Sequence, residues 1–441
     1  CIMNTASRLL VGFTLGAAVL SGSATTPTVR QEALDSLVAD HHVIYFGDNQ
    51  KAVLPDDSIR SLIMHFYIDQ FRNYQDPAAP YFLFMSRDAN MAMGVGGMVR
   101  MRAYFDPGNS MPGPAFKPFD IPLGDTPLNR NHFGTTPSGT SLFFRVIGRN
   151  SRIGTYQLYI QTKFNGYEGR DMRLSKAYAT INDWTVGYAT STFSDGMALA
   201  PTVDANGSTM SMDFTALLVR WMHTFRKSGI TLGLSVETPD MNLDTDNGNT
   251  APRSCSLPNL AAMVQYEWAP DQHVRLSGIT RFLPYRDLVN GSNHTPVGYG
   301  LQLSTVFNPT PSLTVYGIGN VGRSYSNVGG DFLMGQYDLI DNVESPGRLR
   351  TVPSWSYFLG LSYHFSHKLM MSCTFGEARN NTSAPRSAEG YKYGLYGCAN
   401  IFYNVTPRIQ IGAEANFGKR QDVDGSHAWA RRVGAMCQFS F

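Results

Sequence analysis

A set of basic side chains recurs at alternating positions in segments where apolar and polar residues also alternate. Side chains of one parity share a face of a β-strand, so these cations would lie together on the polar face. Few carboxylates oppose them there, chiefly Glu237, Glu267 and Glu414. Guanidinium groups match carboxylate and phosphate geometry, so such a face could bind small anions. The set comprises Arg100, Arg102, Arg145, Arg149, Lys163, Arg220, Arg226, Arg275, Arg281, Lys392 and Arg432.

The same cations have a simpler interpretation. They could pair with carboxylates from neighbouring loops and stiffen the wall without meeting any solute. An unpaired surplus would instead create a positive potential, because charges of one sign focus the field inside a low-dielectric channel. The sequence leaves both interpretations open.

The elements that would position these side chains are strands. In residues 230–237, ITLGLSVE, one face carries Ile and Leu and the other Thr, Gly and Ser, and 259–268 repeats the rule. Charged residues make up 16% of the chain and aromatic residues 12%, whereas a typical soluble domain is about 25% charged. Counting such segments from residue 91 onward predicts about 16 strands.

The links between these strands alternate in length. Short links, such as 150–151, 182–183, 227–229 and 270–271, alternate with long polar ones, such as 107–138, 192–213, 238–258 and 324–353. Tight turns at one rim and long loops at the other are typical of a transmembrane antiparallel β-barrel. We therefore predict an all-β chain whose residues 89–441 form this barrel.

Closure of the barrel explains the last strand. In lipid, a sheet satisfies all its backbone groups only by closing on itself. We predict that Val433–Phe441 pairs with the first strand, Met91–Phe105. The terminal aromatic residue resembles the closing strand of bacterial outer-membrane barrels, which implies recognition of Phe441 by the barrel-assembly machinery.

The amino-terminal region has different patterns. Residues 1–24 have a basic residue, an apolar run and small residues, in the order of a secretory signal peptide. Residues 25–88 are expected to form a periplasmic segment containing an amphipathic helix at about 56–75, with apolar residues at helical spacing. After the signal peptide no run of about 18 apolar residues occurs, so if the chain crosses a membrane, strands must do it.

Five stretches carry a resemblance to a known family. They are DPAAPYFLFMSRD (76–88), AMGVGGMVRMRAYFD (92–106), HFGTTPSGTSLFFRVIGRN (132–150), FNGYEGRDMRLSKAY (164–178) and WTVGYATSTFSDGMALAPTVDANG (184–207). The sequence resembles DcaP-like trimeric outer-membrane porins, notably their Bacteroidales branch. The resemblance implies a homotrimer of 16-stranded barrels in the Gram-negative outer membrane, with a periplasmic amino terminus. It also implies passive diffusion of small anionic solutes, such as dicarboxylates.

The third long loop, residues 191–213, contains small residues and three aspartates. In general porins the third loop folds inward and narrows the channel. The resemblance therefore implies a constriction formed by Ser194, Asp195, Asp204 and Asp213.

Other functional classes are less well supported by the sequence. His223 belongs to no paired catalytic motif, so no enzyme is predicted. The segment 240–248 has the acidic spacing of a calcium loop, but its glycine comes one position late and no glutamate follows at the right distance. The cysteines form no CxxC pair, so no metal or cofactor is expected. Gly94, Gly96 and Gly97 precede no helix pattern and fit close strand contacts better than a nucleotide loop.

Two alternatives remain open, and neither involves nucleic acid. A non-conducting barrel could act as an adhesin or structural anchor through its long loops. A soluble secreted β-protein would bury its apolar strand faces against each other instead of against outer-membrane lipid.

Overall fold

The structure is a computed structural model. It describes residues 42–47, 71, 80, 82–87, 90–124, 127–164, 171–210, 214–245, 248–328, 330, 337–381 and 390–441. Within these ranges, no helix is both long and apolar enough to span a bilayer. The predicted signal peptide lies outside the described residues. So does the predicted helix at 56–75, apart from Phe71.

Almost all of the regular structure is β-strand. The strands are β1 (His42–Phe46), β2 (Phe82–Ser86), β3 (Met91–Asn109), β4 (Arg130–Thr136), β5 (Ser141–Asn150), β6 (Gly154–Phe164), β7 (Met172–Ile181), β8 (Trp184–Thr190), β9 (Thr215–Phe225), β10 (Ile230–Glu237), β11 (Thr250–Pro252), β12 (Asn259–Ala269), β13 (Gln272–Phe282), β14 (Tyr285–Asp287), β15 (Asn293–His294), β16 (Val297–Thr310), β17 (Leu313–Arg323), β18 (Leu339–Asp341), β19 (Leu349–Thr351), β20 (Pro353–His364), β21 (Leu369–Asn380), β22 (Tyr391–Asn404), β23 (Ile409–Asp422) and β24 (His427–Ser440).

The main sheet is a closed antiparallel barrel. Both β4 and β5 pair with β3, at its two ends, so they form one interrupted barrel strand. On this basis the barrel has 16 strands, which confirms the predicted fold class. Outside the barrel, β1 pairs in parallel with β2, and β2 pairs with the first residues of β3.

The seam lies between the first and last barrel strands, as predicted. Residues 433–440 of β24 pair with residues 98–105 of β3. Phe441 continues the ladder, because its backbone exchanges hydrogen bonds of 2.8 and 3.0 Å with Gly97. A Cβ atom on Gly97 would lie 2.3 Å from the Ser141 carbonyl oxygen on β5. The glycine therefore allows β3 and β5 to approach closely next to the seam.

The two faces of the wall differ in polarity. On β3, Val99 and Met101 are more than half exposed on the outside, whereas Arg100 and Arg102 are buried inside. The same alternation around the barrel gives a broad apolar outer belt and a polar interior. Contact with lipid costs apolar side chains no free energy. Charged and amide groups in the interior, in contrast, need hydrogen-bond partners or water.

The long loops contain small structures of their own. Strands β11, β14 and β15 form one sheet, and β18 pairs with β19. A small apolar cluster joins these loops at the mouth of the barrel. Its members are Leu243, Leu283, Tyr285, Leu339 and Leu349.

Candidate functional site in the barrel interior

The loop between β8 and β9 lies against the inner wall. We call its described residues 191–210 the inner loop. Near its start, Asp195 is buried, and its carboxylate lies 2.8 Å from His273 Nε2, 2.5 Å from Ser304 Oγ and 3.6 Å from the Arg275 guanidinium. Three wall side chains, from β13 and β16, therefore hold one carboxylate of the loop.

The far end of the inner loop is attached to the wall on both sides of the seam, at β3 and at β23. Asp204 Oδ1 lies 2.5 Å from Arg102 Nη1 on β3. Asp204 Oδ2 accepts a hydrogen bond of 2.7 Å from the Phe116 amide. The Val203 amide donates to Glu414 on β23 at 2.8 Å. The loop thus runs along the inside of the wall from β10 to β3.

Wall side chains also satisfy the backbone of the inner loop between these ends. Ser277 Oγ donates to the Phe193 carbonyl and Ser372 Oγ to the Pro201 carbonyl, both at 2.6 Å. Glu237 accepts from Ser191 Oγ at 2.7 Å and from the Thr192 amide at 3.0 Å. Buried backbone groups without partners are costly, so a polar inner wall is what allows the loop to lie there.

The two loop aspartates are held in their charged form. Burial alone would raise the pKa of Asp195, but the charges of Arg275 and His273 and two hydrogen bonds lower it well below its usual range. The pKa of Asp204 is likewise lowered: burial opposes the shift, and the charges of Arg102 and Arg432 together with two backbone hydrogen bonds outweigh it. Both carboxylates therefore act as anionic anchors at neutral pH.

A second loop also folds inward, which the sequence analysis did not predict. In the loop after β3, Met111, Phe116 and Ile121 are buried, and the Phe116 ring packs edge-on against Tyr396 at 6.0 Å between centroids. Arg432 donates to the Gly113 and Pro114 carbonyls at 3.0 and 2.7 Å. The apolar residues of this loop are the signal that could have revealed it.

Within the described residues, four of the predicted pore arginines form buried ion pairs with carboxylates. The partners are Arg102–Asp204, Arg275–Asp195, Arg281–Asp338 and Arg432–Asp106. Asp195, Asp204 and Asp338 belong to loops, and Asp106 lies on β3 close to the first loop. For these four arginines the simpler sequence interpretation, attachment of the loops to the wall, fits the structure.

The wall formed by β5–β9 differs from the rest. Its buried charged residues, among those the structure describes, are Arg145, Lys176 and Arg220, and we call these three the basic face. Arg145 Nη2 donates to Gln157 Oε1 at 3.1 Å, and Arg220 Nη1 to the Thr190 carbonyl at 3.0 Å. The rings of Phe143, Tyr159 and Tyr178 are buried beside them.

Lys176 was missed at the sequence level. Both faces of β7 have mixed polarity, and a register irregularity at Gln161 and Thr162 shifts its pairing with β6. Parity therefore could not assign Lys176 to the interior. Arg100, which was predicted, is buried on β3 and donates to Gln438 Oε1 at 2.9 Å.

An aromatic residue from the amino-terminal region lies next to the basic face. Phe71 is 5% exposed, and its ring centroid lies 4.1 Å from the Arg220 guanidinium carbon and 5.2 Å from that of Arg275. Lys176 Nζ donates to the Phe71 carbonyl at 3.4 Å. Guanidinium groups over ring faces at these distances are attracted by the ring quadrupole.

Most of the remaining residues predicted to line the pore are more exposed than the buried arginines. Arg149 and Arg226 are exposed, the first near the end of β5 and the second in the turn after β9, and Lys163 is half-buried. Assignment of Lys392 to the interior was wrong: the bulge between Tyr391 and Tyr393 breaks the alternation and leaves Lys392 exposed. Ser194 is buried in the inner loop, whereas Asp213 lies outside the described residues.

Among the described residues, the buried side chains do not carry the surplus of positive charge that the sequence predicted. Among the buried side chains of the described residues, lysines and arginines together equal aspartates and glutamates in number. The carboxylates are instead distributed unevenly, and five of the eight buried cations lie in the same part of the interior as they do. Carboxylates lie on the loops and on the wall outside β5–β9, while the basic face occupies β5–β9.

The structure also shows the surroundings of His223 and of the residue types that could bind a metal ion. His223 Nδ1 lies 2.8 Å from Asp183 Oδ2, and both side chains are about 40% exposed at the rim, so they form a surface pair. Across the described residues, histidines, cysteines and carboxylates form no group of three that could hold a metal ion.

Comparison with solved structures bears on the fold. The outer-membrane channel DcaP of Acinetobacter baumannii is similar with a TM-score of 0.68 and 17% sequence identity, covering 80% of this chain and 98% of that one. The fold is that of an outer-membrane porin. An anion-selective porin from Comamonas acidovorans is similar with a TM-score of 0.52 and 10% identity, over 80% of this chain and all (100%) of that one. No family model and no curated protein sequence matches the chain.

These similarities confirm the predicted resemblance at the level of the fold. Sequence identity below 20% to both structures means that the similarity shows the fold and not the role of the interior side chains. The Bacteroidales branch stays a prediction. What the interior does must therefore be argued from its own residues.

Proposed function

We propose that the protein is a porin of the Gram-negative outer membrane, through which small hydrophilic solutes diffuse passively. The main support for this proposal is the closed 16-stranded barrel, which has an apolar outer belt and a charged, hydrogen-bonding interior. Such a wall separates lipid from a polar path, whereas an adhesin would need no polar path. The fold similarity to the DcaP channel supports this proposal.

The proposed solute preference is for anions, with dicarboxylates as one candidate class. The basic face supports it, because Arg145, Lys176 and Arg220 lie on one part of the wall that carries no buried carboxylate among the described residues. The inner loop forms the proposed constriction, with Asp195 and Asp204 turned toward the wall that anchors them and Ser194 Oγ accepting a hydrogen bond from the Phe214 amide. Cations near a narrow point raise the local concentration of anions.

The assembly and orientation follow the same proposal. The long loops face the exterior, and the amino terminus lies in the periplasm after removal of residues 1–24. Phe441, at the end of the seam strand, is the proposed contact of the barrel-assembly machinery. Three copies would form a homotrimer embedded in outer-membrane lipid.

One observation favours the non-conducting alternative. Phe71 occupies space beside the basic face, and two loops fill other parts of the interior. If the remaining passage is too narrow for solutes, the barrel would serve as an anchor or adhesin.

Single-channel recording in planar bilayers separates the two candidates. A porin gives current steps, in groups of three for a trimer, and a salt gradient gives a reversal potential biased toward anions. Insertion of folded protein without current would support the alternative. Neutralising the basic face in R145Q/K176Q/R220Q should move the reversal potential toward cations. The matched control R152Q/K227Q/K368Q removes the same charge from exposed short turns.

A further inference from the structure

Cations and aromatic rings meet on the outer face of β20–β24, at the ends of the strands that carry long loops. The Tyr393 ring lies 4.9 Å from the Arg379 guanidinium carbon and 5.4 Å from Lys419 Nζ. Arg379 is also 5.8 Å from the Trp355 ring, and Lys419 is 5.8 Å from the Trp429 ring. We call Arg379, Lys419 and the neighbouring Arg431 the outer basic cluster.

The cluster keeps a positive balance. Glu377 Oε1 lies 2.9 Å from Arg379 and offsets one charge, while Lys419 Nζ is 3.4 Å from the neutral amide oxygen of Gln421. The Arg379 side chain is 41% exposed although it is ion-paired. Arg431 is exposed two residues beyond Trp429 on the same strand face. The side chains can therefore reach an anion outside the barrel.

The position of the cluster decides which anion it could meet. Next to the cluster, on the side away from the long loops, the outer face carries four well-exposed apolar residues: Leu359, Phe375, Phe417 and Val433. The cluster thus lies where the apolar belt ends, and the interior solutes are on the other side of the wall. Tryptophan and tyrosine rings at this height are favoured at the membrane–water interface.

We propose that the outer basic cluster binds the phosphorylated headgroup of a membrane lipid in the outer leaflet. Guanidinium and ammonium groups would donate charge-assisted hydrogen bonds to phosphate oxygens, and the acyl chains would lie on the apolar residues next to the cluster. The inference goes beyond solute passage. It rests on the proposed orientation, with the long loops at the exterior.

The test uses the full-length protein in nonionic detergent and a bisphosphorylated lipid A as the probe. Native mass spectrometry measures bound lipid across a concentration series for the wild type and R379Q/K419Q/R431Q. Each lost cation at a membrane surface weakens binding by about fivefold, so the triple variant should bind about 100-fold more weakly. The control R152Q/K227Q/K368Q, which removes equal charge at the short turns, should bind as the wild type does.

Two further probes identify the source of the phosphate. The same lipid without its phosphates should bind the wild type no better than it binds the triple variant. Inorganic phosphate at millimolar concentration should not displace the lipid, and displacement would indicate a simple anion site instead. Equal binding by the wild type and the triple variant would overturn the proposal.

This outcome is independent of the porin proposal. The cluster faces away from the interior, so R379Q/K419Q/R431Q should keep wild-type conductance, which also shows that it folds. A wild type that binds the lipid but passes no current would refute the porin proposal and leave the lipid site intact.

Discussion

Substitution of Asp204 by Asn tests whether a single carboxylate holds the inner loop in place. Asn keeps the size of the side chain and removes its charge, so buried Arg102 loses its partner at 2.5 Å and the Phe116 amide loses a charged acceptor. Breaking a buried ion pair costs about 3–5 kcal/mol. Glu414 also interacts with Arg102, so we expect the lower limit, about 3 kcal/mol.

Hydrogen exchange measured by mass spectrometry reports this cost locally. The amides of Val203 and Asp204 donate to Glu414, so they exchange only when the loop detaches. A loss of about 3 kcal/mol lowers the protection of these amides by a factor of about 100. The D424N variant is the control, because Asp424 is an exposed carboxylate that bonds Ser426 within its own turn.

The pattern of exchange decides the interpretation. Faster exchange confined to the inner loop and to the first loop, which Asp204 joins at Phe116, would support the anchoring role. Protection within threefold of the wild type would refute it, and so would an equal loss of protection in all barrel strands.

Three further predictions concern the interior and the seam. F71A should increase single-channel conductance, because the ring that covers Arg220 is removed, while F133A at an exposed position should not. The lowered pKa of Asp195 means that its ion pair stabilises the loop above the unfolded pKa of about 3.9 and is lost only as the pH falls through the folded value. Protection of the Met197 amide, which donates to Asp195 Oδ1, should therefore not fall between pH 7 and pH 5 after correction for intrinsic exchange, and a fall at pH 5 would contradict this prediction. Deletion of Phe441 removes two seam hydrogen bonds to Gly97 and should slow barrel assembly in vesicles, whereas F439A, which keeps the backbone, should assemble faster than the deletion.

The sequence by itself determined the barrel. Alternation of polarity is a local property of each strand, and a period of two assigns faces without knowledge of neighbours. The strand count followed from it. The seam also followed, because a sheet in lipid must close, which leaves the last strand, 433–441, only the first one as its partner.

Local irregularities escaped the pattern. A bulge changes the parity of every residue beyond it, and this explains both the missed Lys176 and the wrong assignment of Lys392. Nothing in the composition of these segments fixes where an extra residue is inserted, because that depends on the partner strand.

Only the tertiary structure decided which arginines are occupied by protein carboxylates. Arg275 and Asp195 are far apart in the sequence, and Arg432 meets Asp106 across the seam. The sequence placed such arginines on one face, because facing depends on parity alone. Whether a guanidinium on that face holds a loop or remains available for a solute depends on the path of loops inside the barrel, and this path is set by long-range hydrogen bonds that no local pattern encodes.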